Sequence, residues 1–468
     1  MYFLALATDY DGTIAHHGVV PPATVEAMQR LKDTGRRLIL VTGREMPDLR
    51  KVFPQVELFD RIVAENGALI VDPATGDERV IAPGPPPEFV AMLEARGVGP
   101  ISVGRAIVAT WEPHQNTVLE VIRELGLELQ IIFNKGAVMV LPAGINKAVG
   151  LAAALVELDL TPHNVVAVGD AENDHAFLRA CGCAAAVANA LRSVKDEADV
   201  RLGADHGAGV VELIERIYCE DGALVAPQRY GLLVGHDRDG TAVYLEPHGG
   251  GVLIAGQSDV GKSNLATALT ERMVELALEF CILDLGGDYD SLRNAVSIGD
   301  ATHGPSAGEV MELVGKRMGN VVIDTRALAM DERPDFFARL LTRIASLRAT
   351  TGRPHWLIID EAHHLLAASR DDVAELLPAS MDGTVLITAQ PQSVTANALE
   401  SVRFVIALGD AAQGVLDAVC AAAGASAVQG VPPPGDDEVI FLDRMSGQPP
   451  RPIKPIRPER QHKRGTRK

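Results

Sequence analysis

Short apolar runs alternate with longer stretches of helical periodicity along most of the chain. In the N-terminal half the apolar runs are YFLALAT, RRLILVT, RIVAENGALIV, NVVAVGD and CAAAVAN. Strands that alternate with helices predict a parallel sheet covered by helices on both faces. The pattern therefore predicts an α/β domain over residues 1–218.

One segment interrupts this alternation. The sequence IAPGPPPE at residues 81–88 is rich in proline, and the runs AIVAT and QIIFNKGAVMVL follow it. Proline does not continue a helix or a central strand, so the parallel sheet is expected to break off here. We expect a small α+β insert at about residues 82–141, placed as a cap over the functional edge of the sheet.

A second alternating series begins after a stretch that has no long periodic element. That stretch, residues 219–230, is interpreted as a linker. The later apolar runs are GVLIAG, EFCILDL, NVVIDT, HWLIID, GTVLITAQ, RFVIALGD and EVIFLD. They predict a second α/β domain with a parallel sheet at residues 231–445.

Length and composition agree with two globular domains. The chain has 468 residues, of which 47% are hydrophobic and 22% charged. No apolar run reaches the roughly 18 residues that a membrane-spanning helix needs, and the N-terminus does not have the form of a signal peptide. The five cysteines have no paired framework, so reduced thiols are expected. We expect a soluble, cytoplasmic protein with no membrane partner.

Charge is unevenly distributed. The formal net charge is -19, whereas the last stretch, RPIKPIRPERQHKRGTRK, is strongly basic. Residues 446–468 are therefore predicted to be a basic, disordered tail. Such a tail either holds the phosphate backbone of DNA or merely keeps the protein soluble, and the sequence does not choose between these roles.

Acidic and hydroxyl side chains follow several strands of the first domain. Asp9 and Asp11 come after FLALAT, Thr42 follows LILV, and Asp170 and Asp174 follow VVAVG. The carboxyl ends of parallel strands lie at one edge of a sheet, where ligands bind. Carboxylates gathered there repel one another, and oxygen ligands favour Mg²⁺ as the compensating ion.

The same residues suggest a division of labour in phosphoryl transfer. Asp9 would attack phosphorus, while Asp11 would carry a proton as general acid and then as general base. Lys147 would balance the phosphoryl charge, and Thr42 with the backbone of Gly43 would bind its oxygens. Each motif alone also has a structural explanation: DYDGT as a turn, GDAEND as an acidic helix N-terminus, and Lys147 as a solvated side chain.

The motifs DYDGT, VTGR, the lone Lys147 and VGDAENDHAFL occur in the order found in the haloacid dehalogenase superfamily. Together with AENGALI and VANALRSVKDEADV, they resemble its Cof-type sugar-phosphatase branch over about residues 3–217. The resemblance implies an aspartyl-phosphate on Asp9 and a phosphate contact from Asn173. It also implies a Mg²⁺ site formed by Asp9, the Asp11 carbonyl, Asp170 and Asp174, and a phosphorylated small-molecule substrate.

The second domain begins with a phosphate-binding pattern. GQSDVGKS matches G-x-x-x-x-G-K-[ST] and lies between an apolar strand and a helical stretch. Its backbone amides are expected to surround the phosphates of ATP, with Lys262 on the β- and γ-phosphates and Ser263 on Mg²⁺. The predicted nucleotide-binding residues are Gly256, Gln257, Ser258, Asp259, Val260, Gly261, Lys262 and Ser263.

Two further runs supply the groups that ATP hydrolysis needs. HWLIIDEAHHLL ends a predicted strand at Asp360, a Mg²⁺ ligand candidate, and Glu361 beside it is a candidate catalytic carboxylate. VLITAQ places Gln390 at the end of another strand, where it would sense the γ-phosphate. The sequence thus predicts hydrolysis of ATP and not binding alone.

The P-loop region resembles the HerA/FtsK class of ring ATPases over about residues 229–410. FCILDLGGDYDSL is similar to a HerA-type segment, with Leu285 in place of a proline and Asp288 in place of a glutamate. The resemblance implies a RecA-like P-loop domain, possible DNA binding and a homo-oligomer, by analogy a hexameric ring. It also implies an arginine supplied by the neighbouring subunit, for which Arg339, Arg343 and Arg403 are candidates.

The leading hypothesis is therefore a bifunctional enzyme with two Rossmann-like parallel-sheet domains. A Mg²⁺-dependent phosphatase with a small cap is fused to an ATPase that moves or binds DNA. An alternative makes the ATPase domain a nucleotide-gated oligomeric scaffold that arrays or regulates the phosphatase without translocation. A further alternative makes the first domain a recognition module for phosphorylated ligands, which the intact pair of Asp9 and Asp11 disfavours.

Overall fold

The computed structural model describes residues 1–459 except 135, 259, 291, 317–318, 370–380, 411 and 429. The chain divides into two compact units, Met1–Val225 and Ala226–Lys468. The division falls inside the stretch predicted as a linker. The first part of that stretch is ordered, because Cys219 and Glu220 still belong to the last helix of the first unit.

The first unit consists of alternating strands and helices. Its strands are β1 (Ala5–Thr8), β2 (Arg37–Val41), β3 (Arg61–Ala64), β4 (Leu69–Val71), β5 (Glu78–Val80), β6 (Ser102–Val103), β7 (Val108–Trp111), β8 (Leu129–Asn134), β9 (Ala137–Pro142), β10 (Val165–Gly169), β11 (Cys183–Ala186) and β12 (Val200–Arg201). Its helices are α1 (Pro22–Asp33), α2 (Met46–Val52), α3 (Pro87–Ala95), α4 (Gln115–Glu124), α5 (Lys147–Glu157), α6 (His175–Ala180), α7 (Arg192–Glu197) and α8 (His206–Glu220).

The main sheet has the spatial order β12-β11-β10-β1-β2-β3-β4-β5. From β12 to β3 the strands are parallel, and Thr8 of β1 lies opposite Val168 of β10. This part confirms the predicted α/β core. The expectation of a purely parallel sheet is wrong at one edge, because β4 and β5 are antiparallel. Glu65, Asn66 and Gly67 have positive φ angles, and this tight turn reverses the run RIVAENGALIV within one apolar segment.

A smaller antiparallel sheet with the order β6-β7-β9-β8 forms the insert. Helices α3 and α4 pack on one of its faces, around Phe89, Leu93, Val118 and Val138. On the other side Met139 belongs to a second apolar cluster, which includes Ala68 and Ile145 of the main body. The insert is thus an α+β layer that packs on the main body through one face of its sheet.

The second unit is also built on one large sheet. Its strands are β13 (Leu232–Asp237), β14 (Ala242–Leu245), β15 (Gly251–Gly256), β16 (Phe280–Asp284), β17 (Ala295–Ile298), β18 (Asn320–Asp324), β19 (Trp356–Ile359), β20 (Thr384–Thr388), β21 (Val402–Leu408), β22 (Val439–Asp443) and β23 (Arg451–Pro455). Its described helices are α9 (Pro227–Tyr230), α10 (Lys262–Glu275), α11 (Ala307–Gly315), α12 (Arg333–Thr351), α13 (Ala362–Leu365), α14 (Ala396–Glu400) and α15 (Ala412–Ala422).

The sheet order is β14-β13-β23-β22-β21-β15-β20-β19-β16-β18-β17. The strands from β21 to β17 are parallel. Leu253 of β15 faces one apolar core, whereas Val252 and Ile254 face the other, so these strands are buried on both sides. The other edge is antiparallel, which corrects the prediction of a purely parallel sheet. Strands joined by a short turn, such as β13 and β14, pair in opposite directions.

The predicted disordered tail is in part a strand. Strand β23 pairs antiparallel with both β22 and β13, and Ile453 is fully buried. Its backbone hydrogen bonds and this apolar side chain outweigh the basic, proline-rich composition on which the prediction of disorder relied. Residues 460–468 lie outside the described residues.

Among the described residues, no helix combines the length and the apolar character that crossing a bilayer requires.

Candidate active sites

Three strands of the first unit bring its predicted catalytic residues to one edge. Asp9, Thr42 and Asp170 directly follow β1, β2 and β10. The Asp9 amide donates to the carbonyl of Val168 at 3.0 Å, so the chain stays in register just beyond the end of β1. Because β1 lies between β2 and β10, the side chains that follow these strands are neighbours.

Asp9, Asp170 and Asp174 form a buried acidic cluster. Each offers a carboxylate oxygen, and these oxygens lie within 4.8 Å of one another. The Thr13 hydroxyl lies 3.2 Å from Asp9 Oδ2 and 3.3 Å from Asp170 Oδ1, yet it has only one proton to donate. Burial, followed by the charge of Asp174, raises the pKa of Asp9 to about 7. The cluster therefore carries excess negative charge that a cation would neutralise.

Lys147 supplies part of that positive charge. Its side chain is 1% exposed, and Nζ lies 2.6 Å from Asp9 Oδ1 and 2.6 Å from Asp174 Oδ1. Burial alone would lower the pKa of Lys147, but Asp174 and Asp9 outweigh it and raise the pKa above its ordinary value. Helix α5 begins at Lys147, and the Asn146 side chain caps it by accepting the amides of Ala148 and Val149.

Asp174 has a further structural task. Its Oδ2 accepts the backbone amides of Asp170 and Ala171 at 2.8 and 2.9 Å, while Oδ1 faces Lys147. Asp174 therefore shapes the loop after β10 and orients the lysine. Asp9 and Asp170 are the better placed pair for a metal ion, with Asp174 in support.

Asp11 lies apart from this cluster and is held by an arginine. Arg44 donates from Nε to Asp11 Oδ2 at 2.6 Å and from Nη2 to Oδ1 at 2.8 Å. Arg44 also pairs with Asp48 and lies over the ring of Tyr10. The hydrogen bond and charge of Asp11 raise the pKa of Arg44. The predicted acid/base is thus paired in this structure, and the sequence analysis did not identify its partner.

The predicted phosphate-binding residues lie around the turn that follows β3. The Thr42 hydroxyl is buried and accepts the amide of Arg44 at 3.1 Å. Asn173 Nδ2 donates to Asn66 Oδ1 at 3.0 Å. The other amide atoms of these two side chains, Asn66 Nδ2 and Asn173 Oδ1, are buried without a partner among the described residues. Such buried polar atoms leave one donor and one acceptor for a ligand.

These residues fit the Mg²⁺ that the predictions require. The cluster offers hard carboxylate oxygens, which Mg²⁺ prefers, and no sulfur or nitrogen donor belongs to the described group. Thr13, Arg44 and Asn66 complete the site although the sequence analysis assigned them no role. They all lie inside the motifs DYDGT, VTGR and AENGALI. The motifs therefore mark these residues in the sequence, but their side-chain contacts are visible only in the structure.

In the second unit the P-loop residues join a strand to a helix as predicted. Strand β15 ends at Gly256, and helix α10 begins at Lys262 after Gly261, whose φ is 102°. A side chain at Gly256 would lie 2.5 Å from the carbonyl oxygen of Leu408. Lys262 Nζ donates to the carbonyls of Gly256 and Gln257 at 3.0 and 2.8 Å. Gln257, Ser258 and Val260 lie in the loop between strand and helix, and Asp259 lies outside the described residues.

Carboxylates surround this loop. Asp360 follows β19 and is buried, and the Ser263 hydroxyl donates to Asp288 Oδ2 at 3.3 Å. Burial, with the charges of Asp284, Glu361 and Asp288, raises the pKa of Asp360 well above its ordinary value. Burial also lowers the pKa of Lys262, which the charges of Glu361, Asp360 and Asp288 oppose. The predicted lysine, serine and aspartate therefore share one electrostatic environment.

Glu361 and Gln390 follow adjacent strands. Glu361 has a left-handed backbone with φ of 46°. Its Oε2 is buried without a hydrogen bond in the described part of the chain, and His363 Nδ1 lies 3.5 Å away. Gln390 is exposed, and its backbone amide donates to the Thr388 hydroxyl at 2.9 Å. Strand β20 lies between β15 and β19, so both residues reach the edge where α10 begins.

The loop after β16 explains how Asp288 is placed. Asp284 Oδ1 accepts the amides of Gly286, Gly287 and Asp288, and Oδ2 accepts that of Tyr289. The Tyr289 hydroxyl is buried and makes no hydrogen bond within the described residues. The sequence analysis assigned no role to Asp284 or Tyr289.

The three candidate arginines are not equivalent. Arg403 pairs with Glu246 at 2.7 Å and with Asp443 at 3.0 Å, and its side chain is only 12% exposed. Arg403, in β21, therefore links the end of β22 to the residue that follows β14. Arg339 and Arg343 are exposed on α12.

Known proteins resemble a large part of the first unit. The family described as haloacid dehalogenase-like hydrolase matches residues 6–91 and 112–214. A phosphoglycolate phosphatase from Haloarcula marismortui is 30% identical over 220 residues, 45% of this chain and 95% of that protein. Phosphoglycolate phosphatase 2 from Saccharolobus solfataricus is 28% identical over 228 residues, 46% of this chain and 92% of that protein.

Among solved structures, a haloacid dehalogenase-like hydrolase from Bacteroides thetaiotaomicron is 20% identical, with a TM-score of 0.41. The similarity covers 46% of this chain and 99% of that one. The family match and the relative at 30% identity show that the chain belongs, through its first unit, to the haloacid dehalogenase-like hydrolases.

Proposed function

We propose that the first unit is a Mg²⁺-dependent phosphomonoesterase with Asp9 as nucleophile. The observation that carries this proposal is the buried cluster of Asp9, Asp170 and Asp174 with Lys147 at 2.6 Å from two of its members. Mg²⁺ bound by Asp9, Asp170 and the Asp11 carbonyl would supply the positive charge that draws a phosphate dianion to this acidic edge.

The reaction proceeds in two displacements at phosphorus. A carboxylate oxygen of Asp9 attacks the phosphorus, and the bond from phosphorus to the ester oxygen breaks as Asp11 donates a proton to the leaving alcohol. Water then attacks the phosphorus, Asp11 takes a proton from that water, and the bond from phosphorus to the Asp9 oxygen breaks, which releases inorganic phosphate and the Asp9 carboxylate. Because Arg44 holds both oxygens of Asp11 in the structure, this role requires that the ion pair opens when substrate binds.

The substrate proposed is a small phosphorylated acid, with phosphoglycolate as the first to test. Two relatives of the first unit are named phosphoglycolate phosphatases. Met139 of the insert lies near the phosphate loop, because its Sδ is 3.6 Å from the place that a β-carbon on Gly43 would occupy. The insert therefore approaches the edge at which the leaving group would lie.

For the second unit we propose ATP hydrolysis at the N-terminus of α10. Lys262 and Ser263 would bind the phosphates and Mg²⁺, Asp360 would be the second Mg²⁺ ligand, and Glu361 would orient water, with Gln390 as sensor. The shared surroundings of Lys262, Asp360 and Asp288 support this assignment. Glu361 Oε2 accepts no hydrogen bond within the described residues and lies 3.5 Å from His363 Nδ1, so it is an acceptor suited to an attacking water.

Reciprocal variants test both assignments in one chain. Asp9→Asn removes the nucleophile, so release of phosphate from phosphoglycolate should fall by more than about a thousand-fold, while ATP turnover stays within twofold. Lys262→Ala should show the reverse. Asp33→Asn is the matched control for both assays, because Asp33 is an exposed carboxylate that accepts a hydrogen bond from Gln29 on its own helix. Phosphatase activity that survives Asp9→Asn would contradict the nucleophile assignment.

DNA and a ring of subunits are proposals that rest on the resemblance to ring ATPases. Stimulation of ATP turnover by DNA, together with an ATP-dependent increase in particle mass, would support a DNA motor. An oligomer with no response to any form of DNA would support the nucleotide-gated scaffold. Loss of the oligomer on substitution of Arg339 or Arg343 would identify the residue that reaches the neighbouring subunit.

A further inference from the structure

Glu65 connects the body of the first unit to its cap, which comprises residues 82–141. It follows β3 and is 1% exposed, yet its carboxylate hydrogen-bonds to the cap rather than to the main sheet. Oε1 accepts the amide of Arg105 at 2.9 Å, and Oε2 accepts those of Ala106 and Ile107 at 2.8 and 3.1 Å. Charge-assisted hydrogen bonds of this kind are about twice as strong as neutral ones.

The cap turn is built closely around this carboxylate. A side chain on Gly104 would lie 2.6 Å from Glu65 Oε1. A side chain on Gly84, in the segment that leads into the cap, would lie 2.7 Å from the Cα of Ala106. Glu65 thus binds the cap next to the point where the chain leaves the main body.

The turn that carries Glu65 also touches the proposed catalytic residues. The amides of Glu65 and Asn66 donate to the carbonyls of Arg44 and Thr42, each at 3.0 Å. The next residue, Gly67, packs against the carbonyl of Asn146 directly before Lys147. Cap, phosphate loop and lysine therefore all rest on the same three-residue turn.

We propose that Glu65 is a positioning residue that seats the cap, and that this seating fixes how far the cap face at Met139 lies from Asp9. A loosened cap would admit larger leaving groups, so Glu65 would set substrate size without touching substrate. The consequence for substrate size rests on the proposed phosphatase function. The seating itself does not.

Hydrogen exchange of the full chain tests the seating directly. Glu65→Gln has one carbonyl oxygen, which can still accept Ala106 and Ile107 but turns an amide group toward the N–H of Arg105. We expect exchange of the Arg105 amide, which loses its acceptor, to be at least about tenfold faster than in the unmodified protein. Glu78→Gln is the control, because the Glu78 carboxylate binds the exposed side chain of Arg105 and not its backbone amide, and this variant should change exchange by less than twofold.

Kinetics test the consequence for selectivity. In Glu65→Gln the ratio of kcat/KM for p-nitrophenyl phosphate to that for phosphoglycolate should rise about fivefold or more, because the bulkier ester gains from a loosened cap. An unchanged ratio would overturn the proposed role in substrate size. If the unmodified protein hydrolysed neither ester, the proposed phosphatase function would fail, while hydrogen exchange would still decide the seating.

Equal exchange in the Glu65→Gln and Glu78→Gln variants would overturn the proposal. If Glu65→Gln does not fold, Gly104→Ala replaces it, because the added methyl group displaces the carboxylate and leaves Glu65 in the chain. The same increase in exchange is expected from that variant, and its absence would equally overturn the proposal.

Discussion

At the scale of single residues, backbone freedom decides where the proposed catalytic groups lie. Gly67 has φ of 105°, and a side chain there would lie 1.9 Å from the carbonyl oxygen of Asn146 and 3.0 Å from the amide of Lys147. Only glycine combines this conformation with so close an approach. The position of the buried Lys147 thus depends on Gly67, which has no side chain that could take part in a reaction.

Gly67→Ala should therefore destabilise the first unit by more than about 3 kcal/mol, through left-handed strain and overlap with the start of α5. Urea unfolding with a probe in the first unit measures this. The matched control is Gly76→Ala, where φ is 79° but nothing lies within 4 Å of the added methyl group. That variant should cost about 1 kcal/mol, the strain alone. Equal losses would show that the close approach to Asn146 is not tight in solution.

At the scale of elements, the start of α5 determines the direction of Lys147. Asn146 Oδ1 accepts the amides of Ala148 and Val149 at 3.0 and 3.1 Å, so one side chain satisfies two of the open donors at the helix N-terminus. Helix α11 of the second unit has an equivalent cap, in which Ser306 and Glu309 bond reciprocally. Removal of a helix cap can therefore be compared at two places, beside the acidic cluster at Asn146 and in the second unit at Ser306.

Asn146→Ala should cost about 1 kcal/mol of stability and reduce phosphatase kcat about tenfold, because Lys147 loses its fixed position beside Asp9. Ser306→Ala should cost a similar amount of stability and leave phosphatase kcat unchanged. Thermal unfolding and steady-state kinetics of both variants give the comparison. If both variants lowered phosphatase activity equally, a general loss of stability would explain the effect and the positioning role of the cap would be wrong.

At the scale of the whole molecule, each unit has its own sheet and its own apolar cores. The two proposed ligand sites draw their residues from separate units, with the acidic cluster in one and the P-loop in the other. A ligand that binds only the folded state stabilises the unit that binds it. The two units are therefore expected to respond to different ligands.

Calorimetry of the full chain tests this expectation. Mg²⁺ alone should raise the unfolding temperature of the first unit, with a gain of about 2.7 kcal/mol at a hundredfold excess over Kd, and Asp170→Asn should abolish the shift. ATP with Mg²⁺ should in addition stabilise the second unit, and Lys262→Ala should remove only that effect. Loss of the ATP effect in Asp170→Asn would contradict separate sites.

Much of each candidate site could be predicted from the sequence, because the motifs lie at strand ends. Asp9, Thr42 and Asp170 follow apolar runs, and parallel strands bring such positions to one edge whatever the details of packing. The same reasoning predicts that Lys262 and Asp360 lie at one edge of the second sheet, and each follows a strand at that edge. Contacts made by freely rotating side chains could not be predicted, and the pairing of Arg44 with Asp11 is the clearest case.

Strand direction at the sheet edges and contacts between distant segments also could not be predicted from the sequence. The apolar run that contains β3 and β4 did not reveal its reversal, and the basic composition after residue 446 concealed β23. The ion pairs of Arg403 with Glu246 and Asp443 could not be predicted either. Each of these features depends on partners distant in sequence, which local composition does not specify.

The sequence by itself determined the alternation of strands and helices, the two units and the identity of the chemical groups, because periodicity and motif spacing are local properties of the chain. Only the tertiary structure decided which edge strands reverse, which carboxylates gather in a buried cluster and which are paired with an arginine, and that Glu65 binds the cap. Those outcomes depend on burial and on hydrogen bonds between segments far apart in the chain, and their energies exist only once the segments have packed together.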